Sequence, residues 1–400
     1  MDPGPGRLLV VDDNEMNRDL LSRRLAKKGY WVQMAEGGLT ALEMIESGAF
    51  DLVLLDIMMP GMDGMEVLER IRVDHGPDEL PVIMATAKTE SEDIVAALKL
   101  GANDYVTKPF DFPVVLARVQ TQLAVKQGRD ALAKAHHRMK KDLEAAARIQ
   151  QTLLPAETVE IPGARCAWRY VPCDELAGDT LNVIPLGDGI TGLYVLDVSG
   201  HGVPSSLLSV ILSRLMTGVP DSSSVLRTLR DGSGSCEISI ATPAEVAREL
   251  SRRFPYNKET LQYFTMVYAM LDMERRLFTY VSAGHTPIFH LRRGSDPVLH
   301  SSTGPPIALV PAEVGPSDYE EATVQLEPGD RLYFLSDGIP EAHLPGGEEY
   351  GEGRISSTLQ GCFDEDLDAT VTLLLDDVWG WMGGTGPGDD VSVLAIEIEG

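Results

Sequence analysis

Apolar and polar positions follow three different rhythms along the chain. Over residues 1–122, short apolar runs alternate with amphipathic stretches. Arg7-Leu-Leu-Val-Val-Asp12-Asp13, Asp51-Leu-Val-Leu-Leu-Asp56, Pro81-Val-Ile-Met-Ala-Thr86 and Asp104-Tyr-Val-Thr-Lys108-Pro109 read as buried strands, with helical spacing at 16–28, 40–47, 65–74 and 91–100. Continuous apolar strands alternating with helices predict an α/β doubly wound domain, its parallel sheet covered on both faces. Over residues 156–400 the spacing changes to period two. Strands are predicted at 192–197, 263–272, 277–282, 287–291, 330–335 and 391–398, and helices at 203–217, 243–254 and 366–379. Mixed strands with segregated helices predict an α+β sandwich.

Residues 123–155 join the two blocks as a helical linker, continuing a polar helix that begins near Asp111. Leu132, Met139, Ala146 and Leu153 recur every seven residues, with His136, Leu143 and Gln150 interleaved as in a coiled-coil seam. Leu116, Val119 and Leu123 are out of phase with that seam, so a register break is expected at Gly128. Seam positions carrying His, Ala and Gln pair weakly, which suits an interface that is made and broken. A homodimer through this helix is expected; the plain alternative is a solvated spacer.

Composition narrows the partners. Four hundred residues, 44% of them hydrophobic, suffice for two cores, and a formal net charge of −27 disfavours nucleic acid and anionic membrane surfaces. The chain has no apolar run of the roughly 18 residues that span a bilayer, and Met1-Asp-Pro-Gly-Pro-Gly6 lacks a basic region followed by an apolar one. A cytoplasmic protein is expected. Cys166, Cys173, Cys236 and Cys362 show neither a C-x-x-C pair nor zinc spacing and read as reduced structural thiols.

In the first block, Asp12, Asp13 and Asp56 fall at strand ends, where open α/β sheets bind ligands. Clustered carboxylates repel one another unless a divalent cation joins them, and hard oxygen donors favour Mg²⁺. Such a cation could hold a phosphoryl group against Asp56, with Lys108 and Thr86 meeting its oxygens. Singly, a strand-terminal Asp is more often a helix cap; five such residues together are a specific pattern. Val11-Asp12-Asp13-Asn14, Leu55-Asp56-Ile-Met58-Met-Pro60-Gly61-Met-Asp63-Gly64, Ala85-Thr86-Ala87 and Lys108-Pro109-Phe110 resemble the receiver (CheY-like) domain of two-component response regulators. The resemblance implies Asp56 as phospho-acceptor, Asp12, Asp13 and the Met58 carbonyl as Mg²⁺ ligands beside Asp56, and Thr86 and Lys108 as the switch pair. It also implies Tyr105 as the aromatic residue that follows phosphorylation, and a cis Lys108-Pro109 bond.

The second block again sets acids at turns and strand ends: Asp179, Asp197, Asp337, and Asp389 with Asp390. Each alone is an ordinary turn aspartate; together they suggest an all-oxygen site for two Mn²⁺ or Mg²⁺ ions, activating water for in-line attack on phosphorus. His201 reads either as a turn residue or as a group near that water. No Ser or Cys sits in a nucleophile setting with a matching His. Ile149-Gln150-x3-Leu-Pro155, Ala177-Gly178-Asp179, Asp197-Val-Ser-Gly-His-Gly202, Ala283-Gly-His285-x-Pro287, Pro328-Gly-Asp330-x5-Ser-Asp337-Gly338-x2-Glu341-Ala342 and Asp389-Asp390-Val-Ser-Val resemble the SpoIIE/RsbU-type branch of the PP2C serine/threonine phosphatases. That resemblance implies metal ligation by Asp179, Asp197, Asp337 and Asp389, with the Val198 carbonyl. One departure stands out: the family's Gly-Gly-Asp-Phe-Tyr-Asp is here Ala177-Gly-Asp179-Thr-Leu-Asn182, without the second acid or either aromatic. The Ser- and Gly-rich segment 218–242 reads as a loop, either a flap or a surface insertion.

The expectation is a response regulator whose phosphorylation at Asp56 controls a metal-dependent protein serine/threonine phosphatase. A sensor histidine kinase or phosphotransfer protein would be its donor. The resemblance implies a phosphorylated STAS-domain anti-anti-sigma protein as substrate, in a sigma-factor partner-switching pathway. The alternative is a catalytically degenerate, phosphatase-like adaptor gated by the receiver. A DNA-binding output is disfavoured by the acidic balance.

Overall fold

The computed structural model describes residues 5–87, 91–219, 223–232, 235–311, 318–344, 347–384 and 386–400. Apolar runs with acidic ends become β1 (Arg7–Val11), β3 (Leu52–Asp56), β4 (Val82–Ala87) and β5 (Asp104–Lys108); β2 (Trp31–Ala35) completes a parallel sheet of order β2-β1-β3-β4-β5. Side chains alternate between the faces of a strand. Leu9 and Val11 therefore join Val53, Leu55, Val67 and Met84 on one face, while Leu8 and Val10 join Leu21, Leu54 and Val119 on the other. Sequence spacing does not predict β2, because it is a largely solvent-facing edge strand with no continuous apolar run. The flanking helices are α1 (Glu15–Ala26), α2 (Gly38–Ser47), α3 (Gly64–Asp74) and α4 (Ser91–Leu100). Asn14 caps α1, and Asp63 with Glu66 forms a capping box on α3.

The polar stretch after Asp111 is one helix, α5 (Phe112–Gln151). The chain divides into two compact units, Met1–Met139 and Lys140–Gly400, and the division falls inside α5. The helix runs unbroken through Gly128, and the expected change of register falls inside it. Val115, Val119 and Leu123 are buried in the core of the first unit with Leu116 packed beside them, so their phase is set by that sheet rather than by a seam. Leu132 and Met139 are 71% and 57% exposed. Gln150, expected in the seam, is instead 7% exposed within the second unit, and Leu153 lies beyond the helix end. No helix of the described residues is long and apolar enough to cross a membrane.

The second unit stacks two antiparallel sheets. One holds β7 (Thr180–Gly187), β8 (Ile190–Val198), β11 (Phe264–Asp272), β12 (Leu277–Ala283) and β15 (Ala322–Gln325) in the order β15-β12-β11-β8-β7. The other holds β6 (Ala164–Val171), β13 (Ile288–Leu291), β14 (Val298–His300), β16 (Arg331–Leu335) and β17 (Val391–Ile398) in the order β14-β13-β16-β17-β6. Leu193, Val195 and Val267 of the first meet Leu332, Phe334 and Leu394 of the second in a shared core. Helices α6 (Val203–Leu215) and α7 (Pro243–Arg253) cover the outer face of the first sheet, and α8 (Gly351–Gly361) and α9 (Leu367–Trp381) that of the second. The segment expected to be a loop forms a hairpin, β9 (Arg227–Gly232) with β10 (Ser235–Ile240), in register from Gly232↔Ser235 to Arg227↔Ile240. Residues 220–222 and 233–234 of that segment lie outside the described ones.

Candidate functional sites

In the first unit, register brings the acids together. Val11 pairs near Leu55 across β1 and β3, Asp56 pairs with Ala85, and Ala87 with Lys108. Carboxylate oxygens of Asp12, Asp13 and Asp56 accordingly lie within 4.8 Å of one another. Lys108 Nζ reaches Asp56 Oδ2 at 2.5 Å and Asp12 Oδ2 at 2.9 Å. Burial pushes the Asp56 carboxyl up despite Lys108; for Lys108, burial opposes the charge but Asp56 and Asp12 outweigh it and hold its pKa high. The Met58 N–H donates to Asp56 Oδ1 at 3.3 Å, and Thr86 is buried at the end of β4. Arg118 pairs with Asp104 at 2.5 Å and lies 5.4 Å over the Tyr105 ring. The Lys108-Pro109 bond is cis. Hard oxygen donors around one ammonium suit a small divalent cation and a phosphoryl group.

In the second unit, Asp179 precedes β7, Asp197 lies near the end of β8, Asp337 follows β16, and Asp389 and Asp390 precede β17. The four expected ligands thus gather at one end of the two stacked sheets. Asp179 is 1% exposed, and burial followed by Asp197 pushes its carboxyl far above the usual range, although Ser392 Oγ donates to it at 2.6 Å. Asp197 is pushed up to about 8 by burial, then by Asp337 and Asp389; Asp337 rises to about 6 through burial, then Asp389 and Glu341. Burial also raises Asp389. The four do not converge within 4.8 Å; at that spacing the described group is Cys173, Asp389 and Asp390. A chain of pairwise repulsions, Asp179–Asp197–Asp337–Asp389, is an arrangement that two cations with shared carboxylates would relieve. Gly178 fits the same picture, since a Cβ there would stand 2.7 Å from the Val198 carbonyl oxygen.

Asp390 has a different task from its neighbour. Its oxygens accept from the Cys173 and Gly178 N–H groups at 2.8 and 2.6 Å, pinning the turn that carries Asp179. The Cys173 thiol is pushed up to about 12 by burial and Asp390. His201 is largely exposed and pairs with Asp174 at 3.0 Å. A cleft of about 530 Å³ opens beside Asp337, lined by Thr265, His285, Thr286, Glu341, Glu349 and Glu352 among others.

Gln150 carries a role that the heptad spacing hid. Its Nε2 donates to the Ala177 carbonyl at 2.7 Å and to Ser209 Oγ at 3.0 Å, while its Oε1 accepts from the Ala177 N–H at 3.3 Å. Asn182 Nδ2 donates to the Leu153 carbonyl at 3.0 Å, which an aspartate could not do. The end of α5 is thereby tied to both flanks of the Asp179 turn. The signal for Gln150 was its place in a recurring motif rather than its periodicity.

A family model described as stage II sporulation protein E (SpoIIE) matches residues 187–399, and one described as response regulator receiver domain matches residues 8–120. The SiaA-PP2C domain of Pseudomonas aeruginosa superposes with a TM-score of 0.54 at 19% identity, covering 67% of this chain and 100% of that one, which shows a shared fold. Regulatory protein VanRc of Enterococcus gallinarum is 45% identical over 117 residues, 29% of this chain and 49% of that protein. Transcriptional activator protein IrlR of Burkholderia pseudomallei is 41% identical over 125 residues, 31% of this chain and 53% of that protein. The chain spans about half the length of these curated relatives.

Proposed function

The chain belongs to the stage II sporulation protein E (SpoIIE) family, with a receiver domain ahead of a PP2C-type phosphatase domain, and from that premise we propose that phosphorylation at Asp56 controls hydrolysis of phosphoserine or phosphothreonine on another protein. A sensor histidine kinase or phosphotransfer protein supplies the phosphoryl group, and a phosphorylated STAS-domain anti-anti-sigma protein is the substrate.

The observation that carries the reading is the run of mutually repelling carboxylates Asp179, Asp197, Asp337 and Asp389, the first buried, the next two half-buried and the last exposed. Burying charges this way is costly unless something compensates them, and an adaptor has no use for the cost. Asp179, Asp197, Asp337 and Asp389, with the Val198 carbonyl, would hold two Mn²⁺ or Mg²⁺ ions. Bound there, such ions supply charge neutralisation and water activation for phosphomonoester hydrolysis. Asp390 and Ser392 hold the Asp179 turn in place, and the cleft beside Asp337 admits the phosphorylated segment. In the receiver, Asp12, Asp13, Asp56 and the Met58 carbonyl would hold Mg²⁺, while Lys108 and Thr86 read the phosphoryl group. The signal passes along α5, whose Gln150 grips Ala177 next to the Asp179 turn.

The test is Mn²⁺-dependent phosphate release from a phosphoserine STAS protein. Asp197→Ala and Asp337→Ala should each lose at least about a hundredfold in rate, on the scale of removing a principal electrostatic contributor. Full activity in either excludes the two-metal site. A wild type inactive across Mn²⁺ concentrations and STAS substrates supports the adaptor instead, a reading favoured by Asn182, whose amide bonds the linker in the family's acid position.

A further inference from the structure

Gly284, His285 and Pro287 of the Ala283-Gly284-His285-x-Pro287 motif line the cleft beside Asp337, but the motif supplies none of the expected metal ligands. It forms the crossover from β12 to β13, the connection between the two sheets whose ends carry Asp197 and Asp337. His285 is 5% exposed there. Gly284 sets the turn: its φ is +65°, and a Cβ would stand 2.3 Å from Pro306 Cγ.

His285 Nδ1 lies 2.7 Å from Thr265 Oγ1. Thr265 is the residue of β11 directly opposite Asp197 on β8, and its hydroxyl donates to Asp197 Oδ2 at 3.5 Å. The Thr265 hydroxyl thus stands between the imidazole and the carboxylate. The next residue, Thr286, donates through Oγ1 to the carbonyl of Leu335, two positions before Asp337. One turn thus reaches toward both acids, from one sheet to the other.

We propose that His285 and Thr265 are positioning residues for Asp197: the imidazole fixes the Thr265 hydroxyl, the hydroxyl orients one Asp197 oxygen, and Thr286 fastens the same turn to the strand leading to Asp337. The spacing of the two acids is set by the protein before a cation binds. This rests on the metal-dependent reading of the site. Partners that orient a ligating carboxylate typically change metal affinity 10–100-fold.

The experiment measures Mn²⁺ binding calorimetrically to the full chain in an Asp12→Ala, Asp13→Ala background, which removes two donors from the receiver site. Thr265→Val should weaken Mn²⁺ binding at least about tenfold, while Thr265→Ser stays within about threefold. The Mn²⁺ concentration for half-maximal phosphate release should shift with it. Loss of kcat at every Mn²⁺ concentration, with binding unchanged, overturns the proposal. If Thr265→Val does not fold, His285→Gln is read with the same two outcomes. Asp197→Ala separates the failures. If it binds Mn²⁺ like the wild type, the metal site itself is wrong; if it loses binding while Thr265→Val keeps it, the positioning role alone is wrong.

Discussion

Asp197 is the residue through which pH should act most visibly. In the unfolded chain its carboxyl ionises above about pH 4; folded and metal-free, burial and its acidic neighbours push it to about 8. Between those values the folded state holds the additional proton, so this group's contribution to stability falls as pH rises. In EDTA, the second unit's melting temperature should drop between pH 5 and pH 8 by at least about 3 °C more in the wild type than in Asp197→Asn, given roughly 2–4 °C per kcal/mol for a domain of this size. Mn²⁺ should reverse the drop in the wild type alone. Equal slopes in the two proteins would show that Asp197 does not carry the strain. At this scale the receiver acids were legible, because each ends an apolar run and strand register does the rest. The hold of Asp390 on the Asp179 turn was not, since it depends on which oxygens meet the Cys173 and Gly178 N–H groups across more than 200 residues of sequence. Thr265 was equally hidden: a threonine inside a strand says nothing of the histidine beside it.

At the scale of elements, periodicity located the central strands and missed most of those at the edges, β7 among them although it is largely buried. β2, β14 and β15 are half-exposed edge strands, and β6 bears a mixed pattern in which Arg165 and Arg169 pair with acids near α9. The seven-residue spacing of α5 was legible, but its two ends answer to different cores: Val115, Val119 and Leu123 pack in the first unit, and Gln150 is bonded in the second. Between them Leu132 and Met139 stay exposed, which is where a homodimer would form. Burying an apolar side chain of this size contributes about 1.5–3 kcal/mol, so a pair of such positions in each chain suffices for a weak, reversible seam. Leu132→Asp should therefore convert a dimer to a monomer by light scattering and remove the response of phosphatase rate to receiver phosphorylation, while both units keep their melting temperatures. A monomeric wild type that still responds to phosphorylation would refute coupling through the seam.

At the scale of the whole molecule, the output domain is of the PP2C type, and a net charge of −27 opposes long-range attraction to a polyanion. The fold of both units could be expected from sequence because their chemistry-bearing residues sit at strand ends in specific motifs. The helix that links them could be expected too, but not the grip of Gln150, because spacing along a helix does not reveal which side chain turns inward at its last turn. Moving a two-state element from mostly off to mostly on takes about 5.5 kcal/mol of differential stabilisation, whereas a tenfold change takes about 1.4 kcal/mol. The central claim is tested most directly by Mn²⁺-dependent phosphate release from a phosphoserine STAS protein, measured before and after loading Asp56 from a small-molecule phosphodonor. The account predicts a phosphatase rate that changes at least about tenfold on loading, a coupling near 1.4 kcal/mol, and no change in Asp56→Ala. The same rate in loaded and unloaded wild type would contradict it.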